Sequence, residues 1–148
     1  MPWGDGRSIE VFAQFHSIAA REFGLRLRVG RGEETLIGFD SAAGSAFVDR
    51  THAGQRPGSP AFAGRRHAPL RLGEDARLEL RILVDWSSVE VFVNDGEAVI
   101  SEQIFPAADS DALSVYAIGG SVAVDAIDVW QLEPADGGVT LHHASGSR

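Results

Sequence analysis

The sequence contains no cysteine, one methionine and one tyrosine, and aromatic residues supply only 8% of its 148 residues. The lack of cysteine excludes disulfide bridges and thiolate metal sites within this chain. No apolar run approaches the roughly 20 residues of a membrane span, and no basic segment followed by an apolar stretch opens the sequence. We therefore expect neither membrane association nor a signal peptide, and the abrupt start favours a module of a longer protein.

Lysine is also absent, and 13 arginines stand against 21 acidic residues, which gives a formal net charge of −8. This balance disfavours nucleic acid and anionic lipid, which repel an acidic surface at long range. It permits a neutral ligand such as a sugar. None of the five histidines has the spacing of a zinc site, so the sequence predicts no metal and no cofactor.

Short alternating segments separated by turn residues run through the chain. Residues 9–15 and 23–29 alternate apolar and polar side chains with period two, which is typical of strands with one buried face. About ten such strands without a convincing helix predict an all-β fold, a two-sheet antiparallel β-sandwich that is jelly-roll-like. The positions predicted to be buried are Val11, Leu25, Leu27, Leu80, Ile82, Val84, Val89, Val91, Val115, Ile127 and Val129.

The same pattern divides the chain into three parts. Residues 1–7 form an N-terminal extension, residues 8–133 the sandwich, and residues 134–148 a flexible, polar C-terminal tail. Within the sandwich, residues 51–68 are rich in glycine, proline and polar residues and predict a long loop. Asn94-Asp95-Gly96 is the strongest hairpin signal, since these residues tolerate positive φ.

Several segments, in one order, carry a family resemblance. Residues 80–97 read LRILVDWSSVEVFVNDGE, preceded by Gly38-Phe39-Asp40 and Phe47-Val48-Asp49-Arg50 and followed by Ile104-Phe105-Pro106 and by IDVWQL at 127–132. Over about residues 8–133 the chain resembles the C-terminal β-sandwich of family 32 glycoside hydrolases, the levanases, inulinases and invertases. That resemblance implies a parent enzyme that is secreted, so we expect an extracellular location.

The catalytic motifs of that family are missing. Its propeller domain carries the motifs Trp-Met-Asn-Asp-Pro-Asn, Glu-Cys and Arg-Asp-Pro, and none of them occurs in this sequence. A glycosidase needs two carboxylates at a defined separation, so a stand-alone hydrolase is disfavoured. The resemblance leaves two roles open: a carbohydrate-binding module that grips the terminal fructose of levan or inulin, or a structural domain that braces a catalytic propeller without binding sugar.

Two candidate sugar-binding residues lie in the segment of residues 80–97. Trp86 is predicted to lie in a tight turn, where its ring can pack on a sugar and its indole N–H can donate to a hydroxyl. Glu90 is expected on the outward face of the next strand, where a carboxylate accepts bonds from vicinal hydroxyls. Each has a plain alternative, since Trp86 can cover the sandwich edge and Glu90 can be solvated. Asp85 is predicted to cap the turn.

Four further candidates precede or end strands. Asp49 and Arg50 end a strand and can supply acceptors and forked donors to several hydroxyls, or simply form a surface ion pair. Arg21 and Glu22 precede a strand and are predicted to line the same pocket. The predicted sugar-binding set is therefore Trp86, Glu90, Asp49, Arg50, Arg21 and Glu22, with fructan or fructose as ligand and a catalytic propeller as partner domain.

Overall fold

Eleven β-strands form within residues 8–16, 18–54, 64–73, 76–107, 109–135 and 138–145, the ranges that a computed structural model of the chain describes. Nothing helical in this part of the chain has the length or apolar character to span a bilayer. The strands are β1 (Ser8–His16), β2 (Glu22–Gly30), β3 (Glu33–Asp40), β4 (Ser45–His52), β5 (Arg65–Pro69), β6 (Leu78–Val84), β7 (Ser88–Val93), β8 (Ala98–Gln103), β9 (Ala112–Ile118), β10 (Ala123–Ala135) and β11 (Gly138–Ser145).

The strands form two antiparallel sheets that pack face to face. One sheet has six strands in the order β11-β10-β1-β6-β7-β8, and the other has five in the order β5-β4-β3-β2-β9. Neighbouring strands pair antiparallel throughout, and the register places core residues opposite one another, as at Val11 opposite Ile82 and Val129. The predicted two-sheet antiparallel β-sandwich is confirmed.

The core lies between the sheets, where alternate side chains of each strand meet. Phe15 of the six-stranded sheet packs edge-on against Phe23 of the other sheet, with ring centroids 5.0 Å apart, and Phe23 contacts Phe39 at 6.2 Å. Such offset aromatic contacts add to the free energy of burial. Of the positions predicted to be buried, all are buried except Val115 and Val129, which are partly buried against the core.

The predicted hairpin at 94–96 is also present. Asn94, Asp95 and Gly96 have φ values of 48°, 62° and 90° in the turn between β7 and β8. The Asn94 side chain accepts a hydrogen bond from the backbone N–H of Glu79 at 2.8 Å. This side chain therefore ties the turn to the start of β6, in addition to adopting the left-handed conformation that the turn requires.

The predicted long loop at 51–68 is wrong at both ends. Strand β4 continues to His52, and Arg65–Pro69 forms β5, which pairs with β4 from Asp49↔Arg65 to Ser45↔Pro69. Residues 55–63 lie outside the described part of the chain. The sequence concealed β5 because it is an edge strand with exposed residues and no apolar alternation, so its main-chain pairing leaves no hydrophobic pattern.

The predicted boundary at residue 133 also needs correction. Strand β10 runs to Ala135, and Gly138–Ser145 pairs with it as β11, from Ala135↔Gly138 to Asp128↔Ser145. Val139, Thr140 and Leu141 have the β propensity for such a strand, although glycine and serine surround them. The predicted flexible tail of residues 134–148 therefore contains an edge strand, while residues 146–148 and the extension of residues 1–7 lie outside the described ranges.

Candidate functional site

The outer face of the five-stranded sheet has no side chains at its centre. Gly24 on β2 pairs with Gly38 on β3, and both positions face outward, because the adjacent Phe23 and Ile37 belong to the core. A Cβ atom at Gly38 would lie 2.0 Å from the carbonyl oxygen of Phe23, and one at Gly24 would lie 2.1 Å from that of Ile37. The strands approach too closely there for a side chain, which leaves a bare strip of backbone.

An aromatic ring lies at each side of this strip. Phe47 on β4 pairs with Gly38, and Tyr116 on β9 pairs with Gly24. Phe47 faces away from the core, yet its exposed fraction is 0%. The guanidinium of Arg65 covers it, with the Cζ atom 3.8 Å from the ring centroid, which is a close cation–π contact.

Two carboxylates hold the Arg65 guanidinium over the ring. Arg65 donates from Nη1 to Glu22 Oε1 at 2.7 Å and from Nη2 to Glu22 Oε2 at 3.2 Å, and its Nε donates to Asp49 Oδ2 at 3.1 Å. Since β5 and β2 are three strand spacings apart, or about 14 Å, the side chain must lie flat across β4 and β3 to reach Glu22. We call Glu22, Phe47, Asp49, Arg65 and Tyr116 the Arg65 cluster.

Tyr116 completes the cluster from the opposite side. Its hydroxyl donates to Glu22 Oε2 at 2.7 Å, and the Cζ atom of Arg26 lies 5.0 Å from the centroid of its ring. Burial raises the pKa of Tyr116 far above its ordinary value, and the hydrogen bond to Glu22 raises it further. The phenol therefore remains protonated, and can donate to Glu22, at neutral pH.

The charges of the cluster stabilise one another. Burial by itself would raise the pKa values of Glu22 and Asp49, but hydrogen bonds from Arg65 and Tyr116 to Glu22, and from Thr51 and Arg65 to Asp49, outweigh it, so both pKa values are lowered. Burial would likewise lower the pKa of Arg65, yet the two carboxylates raise it. At neutral pH the cluster is a fixed array of two anions, one cation and one phenol.

Such an array suits a neutral ligand that carries several hydroxyl groups. Each carboxylate oxygen can accept more than one hydrogen bond, and a guanidinium presents five donors in a planar fork. Adjacent hydroxyls of a sugar can donate to one group and accept from the other at the same time. Among the described residues, no group of three or more histidine, aspartate or glutamate side chains is arranged to hold a metal ion.

Comparison with known proteins gives the chain a family. Residues 4–131 match the sequence profile described as "Glycosyl hydrolases family 32 C terminal". The chain belongs to this family.

Relatives of this family 32 C-terminal domain are enzymes several times its length. A levanase of Bacillus sp. (strain L7) is 48% identical over 115 residues, which are 78% of this chain and 12% of the levanase. An extracellular exo-inulinase of Aspergillus awamori is 36% identical over 130 residues, which are 86% of this chain and 24% of the enzyme. The crystal structure of an exo-inulinase from Aspergillus awamori superposes with a TM-score of 0.75 at 35% identity and covers 84% of this chain and 25% of that one.

The structure of this family 32 domain divides the predicted sugar-binding residues. Glu22 and Asp49 lie together in the Arg65 cluster. Arg50 does not join them, because successive side chains of a strand point to opposite faces. Its guanidinium is buried instead at the sheet edge, where Nη2 lies 3.5 Å from Glu102 Oε2 and Nη1 donates to the backbone oxygen of Gln103 at 3.0 Å.

The other three predicted residues do not join the Arg65 cluster. Glu90 is exposed on the outer face of the six-stranded sheet, opposite Leu83 and Ser101 of the neighbouring strands, and it lines a cavity of about 440 Å³ together with Arg50 and Glu102. Trp86 is 48% exposed in the turn between β6 and β7. Arg21 lies beside the turn between β9 and β10, where a Cβ at Gly119 would be 3.9 Å from its Cζ. These residues do not form one pocket with Glu22 and Asp49.

Sequence reasoning missed the two residues that join this cluster together. Arg65 lies in the segment that the sequence predicts to be a long loop, and a loop prediction gives no strand pairing between Arg65 and Asp49. Tyr116 is the one tyrosine of the chain and lies in β9, a strand that the sequence predicts, on the face opposite the core. A signal for Tyr116 was available, because a tyrosine on an outward strand position beside a glycine pair has room to reach a partner.

Proposed function

We propose that this family 32 domain is a non-catalytic carbohydrate-binding module that recognises the terminal fructose of levan- or inulin-type fructans, with the Arg65 cluster as its binding site. The observation that carries the proposal is the guanidinium of Arg65, stacked on Phe47 and held between Glu22 and Asp49. Its donors and acceptors are fixed before a ligand arrives, so little side-chain entropy is lost on binding. The levanase and exo-inulinase relatives supply fructan as the ligand class.

The module would act by tethering. A single terminal sugar offers little apolar area, and water already satisfies its hydroxyls, so we expect weak binding. Linked to a catalytic propeller in a secreted parent enzyme, even a weak module raises the concentration of polymer near the active site. The net charge of −8 is compatible with a neutral polymer.

A second role, bracing of a propeller, has its own supporting observation on the opposite face. The outer side of the six-stranded sheet carries the half-buried Phe12, Leu83 and Phe92, interspersed with Arg81 and Glu90. A neighbouring domain could pack there without covering the Arg65 cluster. The two roles use different faces, so one domain can have both.

Isothermal titration with levan, inulin and fructose tests the sugar-binding proposal. In Arg65→Lys the positive charge is kept, but an ammonium cannot bridge Glu22 and Asp49 in the same plane. Arg66→Lys is the matched control, because Arg66 is the next residue of β5, has an exposed side chain and pairs with Glu102 instead.

We expect saturable binding of at least one fructan by the wild-type domain, an affinity at least about tenfold lower in Arg65→Lys, and no change in Arg66→Lys. Thermal unfolding establishes that each variant is folded. Absence of heat with all three ligands from folded wild-type protein would refute the proposal. Equal affinities of the two variants would refute the assignment to Arg65.

A further inference from the structure

Trp86 forms one wall of a cleft at the end of the sandwich away from the Arg65 cluster. The cleft has a volume of about 340 Å³ and is lined by Glu33, Trp86, Ser87, Phe105, Pro106 and Ala107. Trp86 is 48% exposed, and within the described part of the chain no other phenylalanine, tyrosine or tryptophan side chain is as exposed. A large aromatic side chain beside a carboxylate in a cleft differs from a scattered surface residue, because apolar and acceptor groups converge there.

One buried arginine holds both walls of this cleft. Arg28 is 1% exposed and donates from Nη1 to the backbone oxygens of Asp85 at 3.5 Å and Trp86 at 3.4 Å. Its other nitrogens donate to the opposite wall, from Nη2 to Ala107 O at 3.1 Å and from Nε to Ser110 O at 2.7 Å. The Trp86 turn, Ala107 and Ser110 are therefore fixed to the same guanidinium.

The backbone is distorted to aim Arg28 into this position. Arg28 has a φ of 52°, and both pairings of β2 shift register beside it, between Leu27 and Gly30 and between Arg26 and Val29. A left-handed conformation at a residue other than glycine costs about 1 kcal/mol or more and persists where the surrounding structure demands it. Bulges of this kind redirect a side chain and are enriched beside binding sites.

Further bonds fix the two walls before any ligand is present. Asp85 Oδ1 accepts from the backbone N–H of Ser87 at 3.1 Å, which caps the Trp86 turn. Glu33 Oε2 accepts from the N–H of Ala107 at 2.8 Å and from Ser110 Oγ at 2.6 Å. Both bonds go to Oε2 of Glu33, so neither of these wall contacts uses Oε1.

The cleft and the Arg65 cluster lie at opposite ends of β2. Glu22 begins this strand and Arg28 is near its end, which corresponds to about 20 Å at the usual rise per residue. Free fructose cannot contact both places, whereas a polymer chain can. Two weak contacts on one chain give a higher affinity than either alone.

We propose that the Trp86 cleft is a second contact site for the same neutral polysaccharide, with a sugar ring packed on Trp86 and a hydroxyl donating to Glu33. This inference rests on the proposed function for its ligand class, but it uses different residues. The acidic side chain at the cleft and the acidic protein disfavour anionic polymers. Arg28 acts as a positioning residue, since its hydrogen bonds go to backbone oxygens of the two walls.

The test is titration of wild-type domain, Trp86→Ala and Trp86→Phe with levan, inulin and fructose, next to Arg65→Lys. Val99→Ala is the matched control, because Val99 is another large apolar side chain at the surface, 51% exposed, on β8 in the other sheet from the Arg65 cluster. We expect Trp86→Ala to lower the affinity for polymer about tenfold and to leave the affinity for fructose unchanged. Trp86→Phe should retain most of the polymer affinity, and Val99→Ala all of it.

The outcomes distinguish this inference from the proposed function. If Arg65→Lys loses polymer and Trp86→Ala does not, the Arg65 site stands and the Trp86 cleft is refuted. If Trp86→Ala loses polymer and Arg65→Lys does not, the cleft is upheld as a sugar site and the Arg65 site falls. A parallel loss of fructose and polymer in Trp86→Ala would overturn the idea of a separate second contact.

Discussion

A methyl group at Gly38 should destabilise the domain, because the neighbouring strand leaves no room for it. In Gly38→Ala the new Cβ would lie 2.0 Å from the carbonyl oxygen of Phe23 and 2.9 Å from the Cα of Gly24, whereas ordinary contacts begin at 3.4 Å. Both neighbours are backbone atoms, so no side chain can rotate away. Strands β2 and β3 would have to separate by about 1 Å in the middle of their ladder.

The cost can be worked from that separation. Overpacking in a tightly packed region costs about 1–3 kcal/mol, and two weakened ladder bonds add about 1 kcal/mol each. We therefore expect the free energy of unfolding to fall by about 3–5 kcal/mol, which for a domain of this size lowers Tm by about 10 °C. Because Phe47 lies beside this strip and the Arg65 side chain lies across β4 and β3, fructan binding should weaken as well.

The assay is urea denaturation followed by far-UV circular dichroism, with Tm from a thermal scan. Gly73→Ala is the control, since a Cβ there meets nothing within 4 Å and the residue has no left-handed φ. It should change the free energy of unfolding by no more than about 1 kcal/mol, in the stabilising direction. A loss of less than about 1 kcal/mol in Gly38→Ala would refute the argument that the two strands leave no room for a side chain.

Three further outcomes follow from the contacts described above. Glu102→Gln should lower the free energy of unfolding by about 2–4 kcal/mol in urea titration, because it removes the buried carboxylate that lies 3.5 Å from the Arg50 guanidinium. A change within about 0.5 kcal/mol, the usual effect of a surface substitution, would contradict this. The carboxyls of Glu22 and Asp49 have pKa values in the folded state below their ordinary values of 4.5 and 3.8, so their contribution to stability is present above those ordinary values and is lost as the pH falls through the lowered ones. A pH series of Tm would detect this loss, and Asp49→Asn should flatten that series. Asn94→Ala should cost about 1–2 kcal/mol, since it loses the bond to Glu79 and places alanine at a φ of 48°, and an unchanged urea midpoint would argue against a role for that bond.

The sequence predicted the fold well wherever one face of a strand is buried and the other is solvated. Residues 9–15 alternate along β1, and residues 80–84 alternate along β6, because each strand buries one face in the core. The turn at Asp85 was also predictable, since its carboxylate accepts from the backbone N–H of Ser87. Strand β5 could not be found in this way, because its residues are largely exposed and show no alternation, and β11 could not because glycine, serine and histidine residues interrupt any apolar pattern in its sequence.

The candidate site was only partly accessible to the same reasoning. Glu22 and Asp49 were identified by residue type and position, but their common partner Arg65 became visible only when β5 was paired with β4. Successive side chains of a strand point to opposite faces, so Asp49 and Arg50 could have been placed on opposite faces from the sequence alone. The assumption that adjacent residues act together led instead to one shared site. Residues that are distant in sequence meet here through sheet register, which composition does not encode.

The position of β1 in the middle of the six-stranded sheet has a consequence for how the chain folds. Its first residue, Ser8, pairs with Leu132 on one side, and Ile9 pairs with Val84 on the other. During synthesis of this domain, β1 emerges before the other ten described strands. Its edge toward β10 therefore stays uncovered until β10 has been made. Such distant pairings make folding slow and leave an apolar strand edge open in the meantime, so the interval between synthesis of β1 and β10 is when this domain is most exposed to aggregation.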